Sequence, residues 1–344
     1  MIDLINYGFM PNIIPENRKE TPARITAVHK QRYEVVCQYG NGFAQLKTSI
    51  YYGDGTESFP TTGDFVLMNF NNSGDGQIVK TLERKTFFSR RDPTPGRGEQ
   101  AVAANFDYVF ILQSLNHDFN SKRLERYLTL SWQSGAVPVV ILTKADLVES
   151  YDEQLNAAQK IAIGAKVFAV SAITGYGLDL LLEYLKPQKT IVFLGSSGVG
   201  KSSLVNALSG EVTMAVNLIR ENDDRGRHTT THRQMIMLKN GVMIIDTPGM
   251  RELGMWDVSS GLNEAFSDVE QFLGQCRFTD CKHGNEPGCA INAAIESGEL
   301  SEKRWESYQK LKREARFADR KSKASATTKN AHLKYSKNDR KAMK

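Results

Sequence analysis

Nine consecutive residues, Gly195-Ser196-Ser197-Gly198-Val199-Gly200-Lys201-Ser202-Ser203, have the types and spacing needed to hold a polyphosphate. Glycines let backbone N–H groups turn inward on a diphosphate, and a following helix adds the positive end of its dipole. Lys201 would reach the β- and γ-phosphates, and Ser202 would ligate Mg²⁺. A plain Gly-Ser turn between strand and helix would need neither the Lys nor the Ser. The reading is a site for a nucleoside triphosphate.

Three further clusters bear on which nucleotide. Thr143-Lys144-Ala145-Asp146 ends an apolar run, Val139 to Leu142. A carboxylate there can accept from both N1–H and the N2 amine of guanine, a donor pair that adenine lacks. Ser171-Ala172 ends the next apolar run, where a backbone N–H could meet guanine O6. Val242 to Asp246 is a strand ending in Asp246-Thr247-Pro248-Gly249, which sets a carboxylate near Mg²⁺ and a glycine amide near the γ-phosphate. Together they select GTP and GDP over ATP.

Between the phosphate loop and Asp246 lies the polar stretch Arg220 to Thr231. One of its threonines is expected to reach Mg²⁺ when triphosphate is bound; Thr230 is chosen, with Thr229 and Thr231 beside it. Many GTPases carry Gln directly after Asp-x-x-Gly to orient the attacking water, but this chain has Met250. Slow intrinsic hydrolysis, stimulated by a partner, follows. His228 is the available orienting group, or else a contact for that partner.

A fourth cluster is of another kind. Cys276, Cys281, His283 and Cys289 give C-x4-C-x-H-x5-C, and three thiolates with one imidazole suit a single structural Zn²⁺. Cys37, the remaining cysteine, sits in an apolar strand.

The elements that position these residues divide into three. Residues 1–95 show five short β-like runs broken by turns, a small β-barrel of OB-like or SH3-like type. Such a barrel either binds oligonucleotides or is a scaffold, and no aromatic-and-basic stripe stands out in its sequence. Asp92 to Gly98 reads as a linker. Residues 96–257 alternate apolar strands with helical patterns, the pattern of a doubly wound, mostly parallel α/β sheet. Helices are expected over Ser121–Trp132, Leu178–Leu185 and after Ser203. Residues 258–344 hold the cysteine cluster, a helix over Ser301–Ala318 and a basic tail. Residues 301–344 carry 15 Lys/Arg against 5 Asp/Glu, a net of +10, which leaves the first 300 at −5 within a whole-chain +5. A basic tail suggests a polyanionic partner.

At 344 residues, 40% hydrophobic and 24% charged, the composition is that of a soluble globular protein. No run approaches a membrane span, and Met1 to Asn6 has no basic segment leading into an apolar core, so no signal peptide, no membrane and a cytoplasmic location are expected.

The order of motifs is unusual. Most GTPases place the phosphate loop first, whereas here both guanine motifs precede it, so the GTPase domain reads as circularly permuted. This order, with Gly195 to Ser203, Gly226-Arg227-His228-Thr229-Thr230-Thr231, Asp246 to Gly249 and Cys276 to Cys289, resembles the ribosome small subunit-dependent GTPase A family. The resemblance implies an N-terminal OB-fold, a permuted GTPase and a C-terminal, mostly helical zinc domain. It also implies a monomer acting in late maturation of the 30S ribosomal subunit, in contact with 16S rRNA, with GTP hydrolysis stimulated by that subunit. An RNA-binding module with a merely structural nucleotide is the competing reading. One departure is Thr143, where most GTPases have Asn.

Overall fold

The computed structural model describes residues 1–30, 32–52, 57–91, 99–116, 118–210, 234–246, 259–284, 286–318 and 320. Five strands open the chain: β1 (Thr21–Val28), β2 (Tyr33–Cys37), β3 (Gly40–Leu46), β4 (Phe65–Asn69) and β5 (Gly76–Thr81). They close into a barrel in the order β1-β2-β3-β5-β4 and back to β1; β3–β5 is parallel and the other pairs antiparallel. The short helix α1 (Thr48–Tyr51) lies between β3 and β4. That order, with a parallel closure and an intervening helix, is an OB-fold and excludes the SH3-like alternative. Alternation of Ala23, Ile25, Val35, Cys37, Val66, Met68 and Ile78 fills the barrel core.

An antiparallel pair follows, β6 (Phe87–Arg91) with β7 (Glu99–Ala104). The stretch read as a linker, 92–98, thus falls between two paired strands and lies outside the described residues. Next come β8 (Tyr108–Ser114), α2 (Ser121–Gln133), β9 (Val137–Thr143), α3 (Asp152–Ile161), β10 (Lys166–Ala169), a 3-10 helix over Asp179–Tyr184, β11 (Thr190–Gly195), α4 (Lys201–Ser209), β12 (Gln234–Met237) and β13 (Met243–Asp246). Strands β10, β9, β8, β11 and β13 are parallel, and β12 runs antiparallel beside β13. Continuous apolar runs such as Val109–Leu112 and Ile191–Leu194 suit strands covered on both faces. One face packs on α2 and α3, the other on α4 and the 3-10 helix.

The barrel joins this sheet at its edge, where Ala27 of β1 pairs with Gln234 of β12. One buried cation reinforces the join. Arg24, 1% exposed, donates to the Gly63, Tyr7 and Asn105 carbonyls and to Thr190 Oγ1, and stacks 4.8 Å from the Phe65 ring. Burial lowers its pKa to about 10, with Asp107 and Asp64 pulling it back up, so it stays charged.

The C-terminal region adds α5 (Ser259–Ala265), α6 (Ser267–Glu270), α7 (Ala290–Ser297) and α8 (302–318). These share one core with α2: Leu262, Phe266, Ile291, Trp305 and Tyr308 pack into the cluster that holds Leu124, Tyr127 and Leu128. Gly261 permits the approach, because a Cβ there would lie 2.2 Å from the Thr129 carbonyl oxygen. Arg304 then bridges the two elements. It bonds Glu125 at 3.0 Å and both oxygens of Asp268 at 3.0 Å, donates to the Ala265 carbonyl, and lies over the Phe266 ring. Among the described residues no helix is long and apolar enough to cross a membrane.

Candidate functional site

Parallel strands put their C-terminal ends along one edge of a sheet, which is where open α/β sheets hold ligands. Here β9 ends at Thr143, β10 at Ala169, β11 at Gly195 and β13 at Asp246. Four sequence motifs spread from Thr143 to Asp246 therefore reach a common edge.

The loop after β11 turns on glycine. Gly198 and Gly200 have φ of +73° and +100°, in the left-handed region that side chains avoid. At Gly195 a Cβ would stand 3.0 Å from the Leu112 carbonyl oxygen. Val199 is buried while Ser197 and Gly198 are exposed, so the loop presents its middle to solvent. Lys201, Ser202 and Ser203 form the first turn of α4, where the positive end of the helix dipole favours an anion.

Thr143 is tied to that loop. Only 4% exposed, its hydroxyl donates to the Val199 carbonyl at 2.6 Å and lies 3.4 Å from the Gln113 carbonyl. The residue that departs from the usual Asn thus links the first guanine motif to the phosphate loop. Lys144 takes φ +62°, and Ala145 N–H donates to the Val170 carbonyl at 3.1 Å, joining the two guanine loops. Asp146 is exposed. Ser171, wholly buried, accepts from the Ile173 and Thr174 amides and its own N–H meets the Tyr176 carbonyl. Ala172 beside it is half-buried. A hydroxyl pair, Tyr151 with Tyr176 at 2.7 Å, joins the segments that follow these two loops and raises the Tyr151 phenol pKa.

His228, Thr230 and Gly249 lie outside the described residues, and Asp246 is described as the last residue of β13. A cleft of about 400 Å³ opens at the opposite end of the sheet, lined by Phe9, Arg24, Phe65, Asn105 and Lys189. Arg24 spends its donors there on protein acceptors, so this is a junction between barrel and sheet.

The chain matches the family model described as RsgA GTPase over residues 81–256. The chain belongs to the RsgA GTPase family. A relative from Listeria monocytogenes, named small ribosomal subunit biogenesis GTPase RsgA 2, is 46% identical over 92% of this chain and 91% of its own length. Among solved structures, YjeQ from Thermotoga maritima matches with TM-score 0.62 and 26% identity, over 85% of this chain and 97% of its own. YloQ, described as a circularly permuted GTPase, matches with TM-score 0.57 and 25% identity over 87% and 96%. An RsgA-family GTPase hydrolyses GTP, and the permuted motif order read from the sequence agrees with the description of YloQ.

Elsewhere, Cys276, Cys281, His283 and Cys289 present donor atoms all within 4.8 Å of one another. His283 Nδ1 lies 3.4 Å from Cys276 Sγ and 3.6 Å from Cys289 Sγ. Metal–ligand bonds of ~2.0 to 2.3 Å at tetrahedral angles place neighbouring donors ~3.5 to 3.8 Å apart, so this set fits one metal ion. The Ala290 amide, 3.4 Å from Cys276 Sγ, pulls that thiol below its ordinary pKa and toward the ligating thiolate. Around it, Glu286 accepts the Lys282 and Gly284 amides, and Trp305 meets the His283 ring edge-on at 5.5 Å.

The barrel carries features that its sequence concealed. Tyr39 and Phe70, 55% and 38% exposed, sit with ring centroids 4.4 Å apart. The Arg32 guanidinium covers the exposed Phe43 ring at 4.0 Å. No linear stripe announces them: Tyr39 lies in the β2–β3 turn and Phe70 just after β4, while Arg32 precedes β2 and Phe43 stands in β3, so the fold makes both contacts.

Proposed function

We propose that this GTPase acts in biogenesis of the small ribosomal subunit, as the Listeria relative's name says of that protein. GTP would be held at the edge where β9, β10, β11 and β13 end. The carrying observation is the Thr143–Val199 bond, which makes guanine motif and phosphate loop one unit despite the permuted order. In this reading Gly195, Ser196, Ser197, Gly198, Val199 and Gly200 line the diphosphate with backbone amides, Lys201 neutralises the β/γ oxygens, and Ser203 continues the helix start. Asp146 accepts from guanine N1–H and N2, with Thr143, Lys144, Ala145, Ser171 and Ala172 framing the base. Ser202, Thr230 and Asp246 would hold Mg²⁺, which supplies charge neutralisation at the transferring phosphoryl group. Gly249 would meet the γ-phosphate, and His228 would orient water once the partner is engaged.

Three units are proposed: a barrel over 1–95, a permuted GTPase over 96–257 and a metal-binding unit over 258–344. Zinc is the proposed ion for Cys276, Cys281, His283 and Cys289, because a three-thiolate, one-imidazole set favours a soft, tetrahedral cation. It would be structural, with all four positions filled. The paired aromatics of the barrel suit stacking on unpaired bases, and the basic C-terminus suits phosphate, so 16S rRNA within the 30S particle is the proposed contact. The protein would work as a cytoplasmic monomer, leaving the particle on hydrolysis. The test is GTP turnover with and without purified 30S subunits, using ATP and 50S subunits as controls. Stimulation confined to GTP and 30S is expected; no response to 30S overturns the assignment.

A further inference from the structure

The segment after β8 reaches the nucleotide edge of the sheet, yet the reading above gives it no part. It contains Asp118, whose Oδ2 accepts a hydrogen bond from the hydroxyl of Ser196 in the phosphate loop, 78 positions away in sequence. The same oxygen lies 2.9 Å from Arg123, which also donates to the Asp118 backbone carbonyl. Arg123 stands in the first turn of α2, and its own amide is capped by Asn120 Oδ1 at 2.9 Å. Asn120 is in turn fixed by the fully buried Gln113, which accepts the Asn120 N–H at 2.7 Å and donates to its carbonyl at 3.2 Å. Each member of the chain from β8 to Asp118 is therefore held by another.

A glycine-rich loop has much conformational freedom, and every amide it must aim at a diphosphate costs entropy unless the loop is held beforehand. Thr143 holds its second half through the Val199 carbonyl. The first half has Ser196, at a position where the phosphate-loop pattern accepts any residue. A carboxylate beside a phosphate site is adverse unless its charge is taken up, and Arg123 takes it up here. Meanwhile the Ser196 hydroxyl is drawn away, leaving backbone N–H groups to face the ligand.

We propose that Asp118 is a positioning residue for the phosphate loop: braced by Arg123, it anchors Ser196 as Thr143 anchors Val199, so that the loop is preorganised for diphosphate. The proposal rests on the reading of Gly195–Ser203 as the phosphate loop. A preorganised loop contacts substrate and transition state alike, so its loss raises KM and leaves kcat.

The experiment compares full-length wild type, Ser196→Ala, Asp118→Ala, Asp118→Asn and the double Asp118→Ala/Ser196→Ala, with Lys201→Ala as a separate control. Kd for GDP and GTP is read with fluorescent nucleotides, alongside steady-state KM, kcat and Tm. Ser196→Ala removes one oxygen and no packing, so it tests the contact even where Asp118→Ala disturbs α2. Asp118→Ala and Ser196→Ala are each expected to raise both Kd values and KM about tenfold, with kcat within about twofold. The double variant should be no weaker than either single one, because both remove the same bond. Asp118→Asn keeps an oxygen acceptor and should recover most of the affinity. Wild-type Kd in Ser196→Ala, or additive losses in the double variant, overturns the proposal. If Lys201→Ala instead binds GTP normally, the phosphate-loop reading itself is the one that fails.

Discussion

The Cys276–Cys289 cluster draws its donors from 14 consecutive residues, whereas the nucleotide edge collects segments spread from Thr143 to Asp246. The local cluster has little apolar content of its own, so an ion held there would supply most of its folding free energy. The nucleotide edge is prebuilt by a sheet whose strands are buried on both faces, and its ligand adds binding without being needed for the fold. Removing the ligand should therefore unfold the first region and leave the second standing. Helix α2 connects them: its N-terminal turn lies by the phosphate loop and its body packs the C-terminal helices.

The largest expected effect tests that contrast directly. Chelation, or Cys281→Ser, should remove on the order of 10 kcal/mol of local stabilisation from residues 276–289. Proteolysis confined to this segment and a changed Trp305 emission are the readouts, Trp305 being in contact with His283. GTP affinity should stay at the wild-type level. A chelated protein whose 276–289 segment resists protease would place the ion outside the fold's requirements and erase the contrast.

The same difference explains what could be read in the sequence. A metal cluster made of near neighbours is visible as spacing, and so are buried parallel strands such as Val139–Leu142, whose apolar runs need no partner to be recognised. The phosphate loop was legible because glycine, Lys and Ser are each required by one local geometry. Contacts between distant segments were not. Nothing in the string pairs Ser196 with Asp118, Tyr39 with Phe70 or Glu125 with Arg304, since each pair is made by the crossing of elements. β7 was hidden too: Glu99–Ala104 is short and follows Pro and Gly, and only pairing with β6 makes it a strand. Helix α3 starts without a side-chain cap bond and buries only Ala158 fully, so its pattern is faint.

Next in size is the link between the regions. Arg304 and Glu125 have side chains only 8% and 6% exposed. Arg304→Ala leaves Glu125 buried beside a half-covered Asp268, and breaking such a pair costs about 3 to 5 kcal/mol. Urea unfolding should show that loss, while nucleotide Kd at low urea is unchanged if α2 keeps its own place in the sheet. A parallel fall in GTP affinity would mean that the C-terminal helices hold α2 against the phosphate loop, and the two regions would count as one.

Asp146 probes the nucleotide edge alone. Asp146→Asn replaces an acceptor with an amide that meets guanine N1–H badly, forfeiting bonds to a charged group worth about 1.5 to 3 kcal/mol each. GTP affinity should fall at least tenfold, while Tm and protease resistance of 276–289 hold. An amide donor suits a base with a carbonyl at position 2, so xanthosine triphosphate should bind the variant better than GTP does. Equal preference would remove Asp146 from the base site.

The smallest effect is the most informative about how a prebuilt site is tuned. Thr143→Val keeps shape and buries the same volume but removes the donor to Val199, whose carbonyl is then left without that partner. An unsatisfied buried acceptor costs about 1 to 3 kcal/mol, and the loop can evade part of that by shifting. Either outcome is measurable. If the loop stays, Tm falls and nucleotide Kd is unchanged; if it shifts, Tm holds and Kd for GDP and GTP rises about tenfold. Gly200 lies so close that a Cβ on it would stand 3.7 Å from Thr143 Oγ1, and the glycine-rich loop is softer than strand β9, so the shift is expected. Thr143→Asn, which restores a donor at the same place, should then recover affinity without raising Tm. Recovery of Tm instead would show that the bond serves the sheet, and that this edge depends on its loop contacts as the metal cluster depends on its ion.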